Sequence, residues 1–433
     1  MGGPRSGPWC VASSAVPEFT TSPGMRDVLA PESARWRRFV DVFAAVVQPA
    51  GYLLVVPPML EDVGVFRRMG EATDVVSKEM YQFTDLGGRD VALRPELTAG
   101  VCRAFVQHRP PTPWKTWCCG SNFRYERPQR GRYRQFDQVD VEVLGVDDPD
   151  LDVEVIALGW RFFAALGLRQ VELRLNSLGE PADRARYVEA LRGHFDARRD
   201  ELSDEGRQTL ARNPLRILDS KRAADQPSIG AAPRLDEFLS DGAAAHFAAV
   251  RDGLDALAIP YTIDPLLVRG IDYYLRTTFE YAGGTLHSAQ NALGGGGRYD
   301  GLVEALGGPA TPGIGFALGV DRTLIACDDE GVFPALEPAV DVFVVDTTGG
   351  REALVITDEV RRAGRSADRA WDGRSMRAQM KAADRSRAAV AVIVGEDERA
   401  AGTAVVRRLR DADSEQIVVA RTELLAHLEA VLR

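Results

Sequence analysis

The sequence lacks any long uninterrupted apolar run. Its most apolar stretch, residues 39–60, is broken by glycine and proline at Pro49, Gly51, Pro57 and Pro58. A membrane-spanning helix needs about 20 consecutive apolar residues. The first 23 residues are rich in proline, glycine and serine and have no apolar segment of the kind found in secretory signals. We therefore expect residues 1–23 to be a flexible leader, and we expect a cytoplasmic protein without membrane association.

Cysteine is also scarce, with five residues in the chain. They follow no CxxC pattern and no Cys/His spacing typical of zinc sites. They are Cys10, Cys102, Cys118, Cys119 and Cys327. The sequence therefore predicts free thiols in a reducing compartment and no metal bound by side chains alone.

The common phosphate-binding motifs are missing too. The glycine run Gly294–Leu302, GGGGRYDGL, lacks the GK[ST] ending of a phosphate loop. The segment Gly313–Arg322, GIGFALGVDR, mimics a dinucleotide fingerprint but lacks its third glycine and its acidic partner. A net charge of −10 excludes a surface that is basic throughout, although it permits a local basic patch.

With 433 residues the chain is long enough for two or three domains. Strand-like and helical segments are mixed up to Asp328, and residues 180–257 are helical in pattern throughout. Strands and helices then alternate. The pattern predicts an α+β core at residues 24–328 with a mainly antiparallel sheet and a helical insertion, followed by an α/β domain at residues 337–433.

The most informative stretch is Phe123–Glu142, FRYERPQRGRYRQFDQVDVE. It contains five arginines within eleven residues, at Arg124, Arg127, Arg130, Arg132 and Arg134. Arginine offers paired donors to phosphate oxygens. Further on, Gln138, Asp140 and Glu142 alternate with valines, so they share one strand face. A hairpin with a polyanion site at its tip and a polar ligand site at its base is expected, the alternative being a solvated, salt-bridged turn.

Three further segments place arginines where they could serve a binding site. Leu267–Tyr274, LVRGIDYY, places an arginine beside two tyrosines, which in isolation are more often core residues. Arg322 ends a run of small residues and would point into a site at a strand-to-helix junction. The basic run of residues 361–387 is either a solvated face or, if the rest of the chain handles RNA, an RNA-facing surface.

Taken together and in this order, these segments resemble the histidyl-tRNA synthetase family of class II aminoacyl-tRNA synthetases. The resemblance runs from about Gly24 to the C-terminus. The corresponding segments are Gly51–Pro58 for motif 1, Gly70–Asp85, Leu93–Gly100, Phe123–Glu142 for motif 2, Leu267–Tyr274 and Gly295–Leu302 for the two histidine-specific signatures, and Gly313–Arg322 for motif 3.

The resemblance implies a homodimeric ligase that uses ATP and Mg²⁺ to activate L-histidine and then charges tRNA(His). It assigns Arg124 to the α-phosphate, Glu126 to the adenine side and Arg322 to the distal phosphates of ATP. Arg269 would be a family-specific cation at the α-phosphate, and Mg²⁺ would bridge the β- and γ-phosphates. The last domain would bind the anticodon.

The histidine and tRNA sites are implied in the same way. Glu96, Thr98 and Gln138 would hold the substrate ammonium, with Leu97 between them in sequence. Glu142 and Tyr274 would address the imidazole nitrogens, with Tyr273 beside them. The acceptor end of tRNA would meet Gln129, Arg132 and Arg134. Two departures stand out: Asp321 replaces a glutamate found in many relatives, and Asp140 replaces a glycine common in bacterial relatives and adds a charge near the pocket.

Three alternatives stay open. An inactive paralogue could serve as the regulatory subunit of a histidine-biosynthesis enzyme, but such chains typically lack the C-terminal domain and lose Arg269 or its neighbours. A class II synthetase for proline or threonine would not need the RGIDYY signature. A non-enzymatic RNA-binding module would not need Arg124, Arg269 and Arg322 together.

Overall fold

The computed structural model describes residues 19–68, 75–218, 220–267, 273–285, 291–337, 339–411 and 415–432. They form two compact units. The first comprises the chain up to Val28 and from Arg35 to Pro334, and the second comprises Leu29–Ala34 and the chain from Ala335 onward. Among the described helices, none combines the length and apolar character needed to cross a membrane.

The first unit contains eleven strands within the described residues. In chain order they are β1 (Leu53–Leu54), β2 (Leu60–Asp62), β3 (Gln82–Thr84), β4 (Asp90–Leu93), β5 (Trp114–Phe123), β6 (Gln135–Leu144), β7 (Val171–Ser177), β8 (Thr262–Ile263), β9 (Leu275–Gly283), β10 (Ala292–Arg298) and β11 (Gly313–Gly319).

The helices of this part of the chain alternate irregularly with the strands. They are α1 (Glu32–Val47), α2 (Val63–Arg67), α3 (Thr98–His108), α4 (Pro149–Ala165), α5 (Pro181–Ala197), α6 (Asp204–Arg212), α7 (Gln226–Gly230), α8 (Asp241–Ala256), α9 (Leu302–Ala305) and α10 (Val320–Glu330). Local signals fix several ends. At α4, for example, the Asp148 side chain accepts a hydrogen bond from the backbone N–H of Asp150 at 2.9 Å, and Pro149 occupies the first helical position.

An eight-stranded sheet carries the first unit, in the order β1-β5-β6-β11-β10-β9-β7-β8. The pairs β1–β5 and β7–β8 at its two edges are parallel, and the strands between them pair antiparallel. The prediction of a mainly antiparallel sheet is therefore confirmed. A smaller three-stranded sheet, β2-β4-β3, lies outside it.

One face of the central sheet is the hydrophobic core. The valines that alternate along β6 are fully buried there, at Val139, Val141 and Val143. They belong to one cluster with Phe43 of α1 and Phe162 of α4, whose rings meet edge to face with centroids 5.0 Å apart. Because strand residues alternate between faces, the polar residues of β6 lie on the opposite side of the sheet. The predicted two-faced hairpin is observed.

The helical insertion lies between β7 and β8 in the chain. The helices α5, α6, α7 and α8 occupy it, and no strand interrupts them in the described part of residues 180–257. A buried carboxylate organises its centre: Asp225 accepts hydrogen bonds from the backbone N–H of Ser203 at 2.8 Å and from the hydroxyl of Ser220 at 2.6 Å. Such bonds hold the pKa of Asp225 below its usual value, against the opposing effect of burial.

The second unit alternates strands and helices as predicted. Its elements are β12 (Val342–Asp346), α11 (Arg351–Arg362), β13 (Ala367–Arg369), α12 (Met376–Arg385), β14 (Val390–Val394), α13 (Glu396–Ala401), β15 (Thr403–Arg408), β16 (Ile417–Ala420) and α14 (Leu424–Val431). The sheet order is β13-β12-β14-β15-β16, with β12 parallel to both neighbours and the β14-β15-β16 side antiparallel. The α/β character is confirmed, and the antiparallel side was not foreseen.

Candidate active site

A cavity of about 250 Å³ lies on the polar face of the central sheet. Its floor is formed where β6 pairs with β11, and small residues keep that floor open. Gln138 lies opposite Gly319, and Glu142 lies opposite Gly315. A side chain at Gly315 would bring its Cβ within 1.9 Å of Glu142 Oε2 and 2.3 Å of the Val141 carbonyl oxygen. Glycine is therefore required there to leave room for the carboxylate.

The guanidinium groups of Arg124 and Arg322 both line the cavity. Arg124 follows β5, donates from Nε to the Pro95 carbonyl at 2.9 Å, and stacks over Phe136 with 5.3 Å from Cζ to the ring centroid. Arg322 in the first turn of α10 donates from Nε to the Gly131 carbonyl at 3.1 Å. Burial, reinforced by neighbouring arginines, lowers the pKa of Arg322. Two cations concentrated in a partly buried site suit a polyanionic ligand.

Of the other charged residues of the hairpin tip, Glu126 and Arg132 pair with each other, and Arg130 pairs with Asp329. Nε of Arg132 lies 2.8 Å from Oε2 of Glu126, an ion pair without hydrogen-bond geometry. Arg134 lies over the ring of Tyr125 with 3.8 Å from Cζ to the centroid and donates from Nε to the Glu126 carbonyl at 3.1 Å. Gln129 and Arg132 form a backbone bridge across the turn. The tip is therefore partly the salt-bridged turn of the alternative interpretation, while Arg124 and Arg322 face the cavity.

Acidic side chains line the cavity as well. Glu96 precedes α3, and its two oxygens accept hydrogen bonds from the backbone N–H groups of Thr98 and Ala99, each at 2.8 Å. These are donors that a helix start leaves unpaired. Burial raises the pKa of Glu96, although those hydrogen bonds and Arg124 oppose the effect. The carboxyl group is thus held rigidly beside the cavity.

Glu142 lies one layer beneath the cavity lining and is 1% exposed. One oxygen accepts a hydrogen bond from Thr98 Oγ1 at 2.5 Å, and the other accepts one from the hydroxyl of Tyr299. Burial raises the pKa of Glu142 to about 8, against the lowering effect of the two hydrogen bonds. A carboxyl group that titrates near neutral pH beside a polar cavity is typical of a functional site.

Three tyrosine rings lie close to one another. The rings of Tyr273 and Tyr274 are 4.6 Å apart, and those of Tyr273 and Tyr299 are 5.7 Å apart. Tyr273 and Tyr274 both line the cavity. Burial raises the pKa of the Tyr273 hydroxyl, so the group stays neutral and able to donate at physiological pH. The predicted cation Arg269 lies outside the described residues, in the segment directly before Tyr273.

The structure brings most of the sequence-predicted residues to one cavity. Those that line it are Glu96, Thr98, Arg124, Glu126, Arg132, Gln138, Tyr273, Tyr274 and Arg322. Leu97 does not; it is fully buried in a small apolar cluster with Val101 and Cys118. Glu142 reaches the cavity through Thr98, and Gln129 and Arg134 do not line it. The individual roles stay predictions.

Two residues beside the cavity were not singled out from the sequence. Tyr299 belongs to the glycine-rich segment but was passed over because the glycines suggested only close backbone approach. Its position directly after the strand that pairs with β11 was the available signal. Arg26 pairs with Asp321, which lines the cavity. These two residues are 295 positions apart, so no local pattern could indicate the pair.

Within the described residues, histidine, cysteine, aspartate and glutamate side chains form no group of three or more that could hold a metal ion. The cysteines in this part of the chain are free, namely Cys102, Cys118, Cys119 and Cys327.

Comparison with known proteins assigns the family. The model of the family described as "Histidyl-tRNA synthetase" matches residues 24–323, and that of "Anticodon binding domain" matches residues 340–430. The histidine–tRNA ligase of Rhodococcus erythropolis is 45% identical over 410 residues, which is 93% of this chain and 96% of that relative. That of Bordetella avium is 44% identical over 416 residues, covering 95% and 96%. The crystal structure of apo histidyl-tRNA synthetase from S. aureus superposes with a TM-score of 0.80 at 33% identity, covering 95% of this chain and all of that one (100%). The chain belongs to the histidyl-tRNA synthetase family.

Proposed function

We propose that this chain is a histidine–tRNA ligase, which activates L-histidine with ATP and transfers the histidyl group to the 3′ end of tRNA(His). Family membership over nearly the whole length supports the proposal. The observation that carries it is the composition of one cavity, which is lined by three arginines, Arg124, Arg132 and Arg322, and by the acids and phenols around Thr98. A nucleoside triphosphate suits the guanidinium groups, and a small cationic amino acid suits the acids and phenols.

In the activation step, an oxygen of the histidine carboxylate forms a bond to the α-phosphorus of ATP. The bond from that phosphorus to the oxygen bridging the β-phosphate breaks, and pyrophosphate leaves with the electron pair. The protein contributes position and charge rather than a covalent intermediate. Arg124 would hold the α-phosphate and Arg322 the distal phosphates. Their hydrogen bonds to the Pro95 and Gly131 carbonyls fix both guanidinium groups before ATP binds.

Mg²⁺, when bound, would neutralise part of the negative charge of the triphosphate. Two of the acids that line the cavity are already paired, Glu126 with Arg132 and Asp321 with Arg26. We therefore propose that the ion enters with the nucleotide and takes most of its ligands from phosphate and water. Arg269 would add a further cation at the α-phosphate.

Recognition of histidine would rest on hydrogen bonds to both ends of the amino acid. Glu96, Thr98 and Gln138 would hold the ammonium group, and Glu142 and Tyr274 would address the ring nitrogens. A site that pairs with each polar atom rejects analogues lacking one of them by roughly 10⁴–10⁵, because its buried groups would otherwise stay unpaired. The proposed specificity for histidine follows from this arrangement.

The hairpin tip and the second unit would contact tRNA. Gln129, Arg132 and Arg134 are proposed to meet the acceptor end. In the second unit Trp371 is 59% exposed, and the guanidinium of Arg369 lies over its ring at 4.1 Å from the centroid. Exposed aromatic and guanidinium planes are surfaces on which unpaired RNA bases stack. The neighbouring sequence is rich in basic residues, including Arg361, Arg362, Arg374, Arg377, Lys381 and Arg385.

We also propose that the protein is a cytoplasmic homodimer. Apolar side chains are exposed along residues 53–60, which overlap the segment Gly51–Pro58 that corresponds to motif 1. Leu53 is 70% exposed and Val56 is 73% exposed, and the others are Leu54, Met59 and Leu60. Such a group of apolar side chains at a sheet edge is typical of a protein–protein interface. A second copy of the chain is the proposed occupant.

Histidine-dependent exchange between ATP and pyrophosphate tests the proposal. Purified protein with Mg²⁺, ATP and labelled pyrophosphate should return label to ATP when histidine is added and not when proline or threonine is added. Charging of tRNA(His) should follow with the same protein. Exchange at background level would reject the enzyme and leave the regulatory-subunit alternative, whereas exchange with another amino acid would reject the histidine specificity.

A further inference from the structure

Asp140 is a buried carboxyl group that the proposed mechanism does not use. It lies on β6 between Gln138 and Glu142, and alternation along the strand places all three side chains on the same face. Its side chain is fully buried. Neither of its oxygens has a hydrogen-bond partner among the described residues. A buried carboxyl group in this condition calls for a partner that the free protein does not supply.

The surroundings of Asp140 direct it toward the substrate cavity. Its partner across β11 is Ala317, which lines the cavity, and its partner across β5 is Cys118, a buried thiol. Gln138, two positions earlier on the same face, also lines the cavity. The Glu142 carboxyl, two positions later, is capped by Thr98 and Tyr299. Asp140 thus lies beneath the floor between the two residues proposed to hold the two ends of histidine.

The neighbouring arginines do not neutralise it by contact. Arg94 is buried, and it donates from Nε to the Ser121 carbonyl at 2.9 Å and from Nη1 to the Pro57 carbonyl at 2.7 Å. Arg124 lines the cavity and donates from Nε to the Pro95 carbonyl at 2.9 Å. Neither forms an ion pair with Asp140 within the described part of the chain. Burial, followed by the Glu142 and Glu96 carboxylates, raises the pKa of Asp140 well above its usual value, while the two arginines oppose this effect.

We propose that Asp140 is a further substrate-recognition residue, whose buried carboxylate is completed by a protonated nitrogen of the bound amino acid. The inference rests on the proposed function, since it takes histidine as the occupant. The partner is either the ammonium group or the protonated imidazole, both of which enter the cavity with the substrate. Asp140 would thus join Glu96 and Glu142 in a site with three carboxyl groups for a cation.

The test compares wild type with Asp140→Asn, which keeps the size of the side chain and removes its charge. Histidine affinity by calorimetry should fall about 10- to 100-fold, the range expected for a lost charged hydrogen bond. The KM for ATP should change less than about threefold. The melting temperature without ligand should hold or rise, because no contact of the free protein is removed. A structural role would instead lower the melting temperature and raise both the Kd for histidine and the KM for ATP. That result would overturn the proposal.

Two analogues identify which nitrogen is the partner. Imidazolepropionate lacks the ammonium group, and triazolylalanine keeps it but has a ring that is not protonated near neutral pH. If the ammonium is the partner, the substitution weakens only triazolylalanine; if the imidazolium is the partner, it weakens only imidazolepropionate, and in both cases it weakens histidine. Equal losses for both analogues, or unchanged histidine affinity, would overturn the proposal. Absence of histidine-dependent exchange in wild type would reject the proposed function itself, a distinct outcome.

Discussion

Arg26 forms an ion pair with Asp321, the residue directly before Arg322. Its guanidinium also lies over the ring of Tyr133, with 4.9 Å from Cζ to the centroid. Asp321 and Tyr133 both line the cavity, one from the start of α10 and one from the hairpin tip. Arg26 therefore joins the two segments that carry the guanidinium groups proposed for ATP.

Removing this link should affect ATP more than histidine. We expect Arg26→Ala to raise the KM for ATP about 3- to 10-fold and to leave the KM for histidine within about twofold. Because the pair is partly exposed, the loss of folding stability should stay below about 1 kcal/mol. The effects of Arg26→Ala and Asp321→Asn on ATP should be less than additive in the double variant. Arg37→Ala, which removes an exposed ion pair with Asp41, is the control.

The glycine opposite Glu142 gives a second prediction. A Cβ at Gly315 would meet a backbone carbonyl and the Glu142 carboxylate, so either the strand or the carboxylate must move. Gly315→Ala should lower the free energy of unfolding by about 1–3 kcal/mol, the usual cost of overpacking, and should weaken histidine binding. Gly193→Ala is the matched control. Gly193 lies within α5 with open space at its Cβ, so alanine there should be neutral or stabilise by up to about 1 kcal/mol. Urea unfolding measures both, and similar values for the two would contradict the steric argument.

The raised pKa of Glu142 predicts a pH dependence of stability. In the folded protein the pKa is about 8, against a usual value of 4.5. Between these values the folded protein keeps a proton that the unfolded chain has released. The stabilising contribution is thus complete below pH 4.5 and is lost as the pH rises through 8, by about 1.4 kcal/mol per pH unit within the window. Glu142→Gln cannot lose a proton there.

Urea unfolding of the ligand-free protein at several pH values from 5.5 to 8.5 tests this. Stability should fall with rising pH less steeply in Glu142→Gln than in wild type, since Glu96 and Asp140 still contribute in the variant. Glu304→Gln, at an exposed position of α9, should follow the wild-type curve. Parallel curves for wild type and Glu142→Gln would show that this carboxyl group does not titrate in the window.

Sequence patterns were sufficient where a local signal coincides with a structural one. The alternation along β6 predicted both faces of the sheet, because a strand repeats every two residues and the valines had to be buried. The helices of the insertion could be predicted because residues 180–257 have a helical composition and no strand signal. Arg124 and Arg322 could be placed at a site because both adjoin turns at strand ends.

Long-range pairings were beyond the sequence. Tyr299 reaches Glu142 across the intervening strand β11, and Arg26 pairs with Asp321 although 295 positions separate them in the sequence. The cost of burying Asp140 also depends on what lies above and below the sheet, which no strand pattern contains. Charge was visible along the chain, but its desolvation became visible only in the fold.

The exposed apolar segment of residues 53–60 gives a prediction on assembly. If a second copy covers it, an acidic side chain there would have to be buried without a partner, at a high cost. Leu53→Asp should therefore convert a dimer into a monomer, measured by size exclusion with light scattering. Leu257→Asp replaces a leucine that is 45% exposed at the end of α8 and should stay dimeric. A Leu53→Asp variant of dimer mass would place the interface elsewhere.

Arg269 gives the last prediction, because its proposed role is confined to one step. A cation that faces the α-phosphate gains most as negative charge develops there, so its loss should affect the reaction more than binding. Arg269→Ala should slow adenylate formation about 10²- to 10³-fold, measured in a single turnover by rapid quench. Histidine affinity by calorimetry should change less than about threefold. Arg269→Lys keeps the charge and loses the paired donors, so it should recover part of the rate. Equal losses of rate and histidine affinity in Arg269→Ala would show that the arginine serves ground-state binding instead.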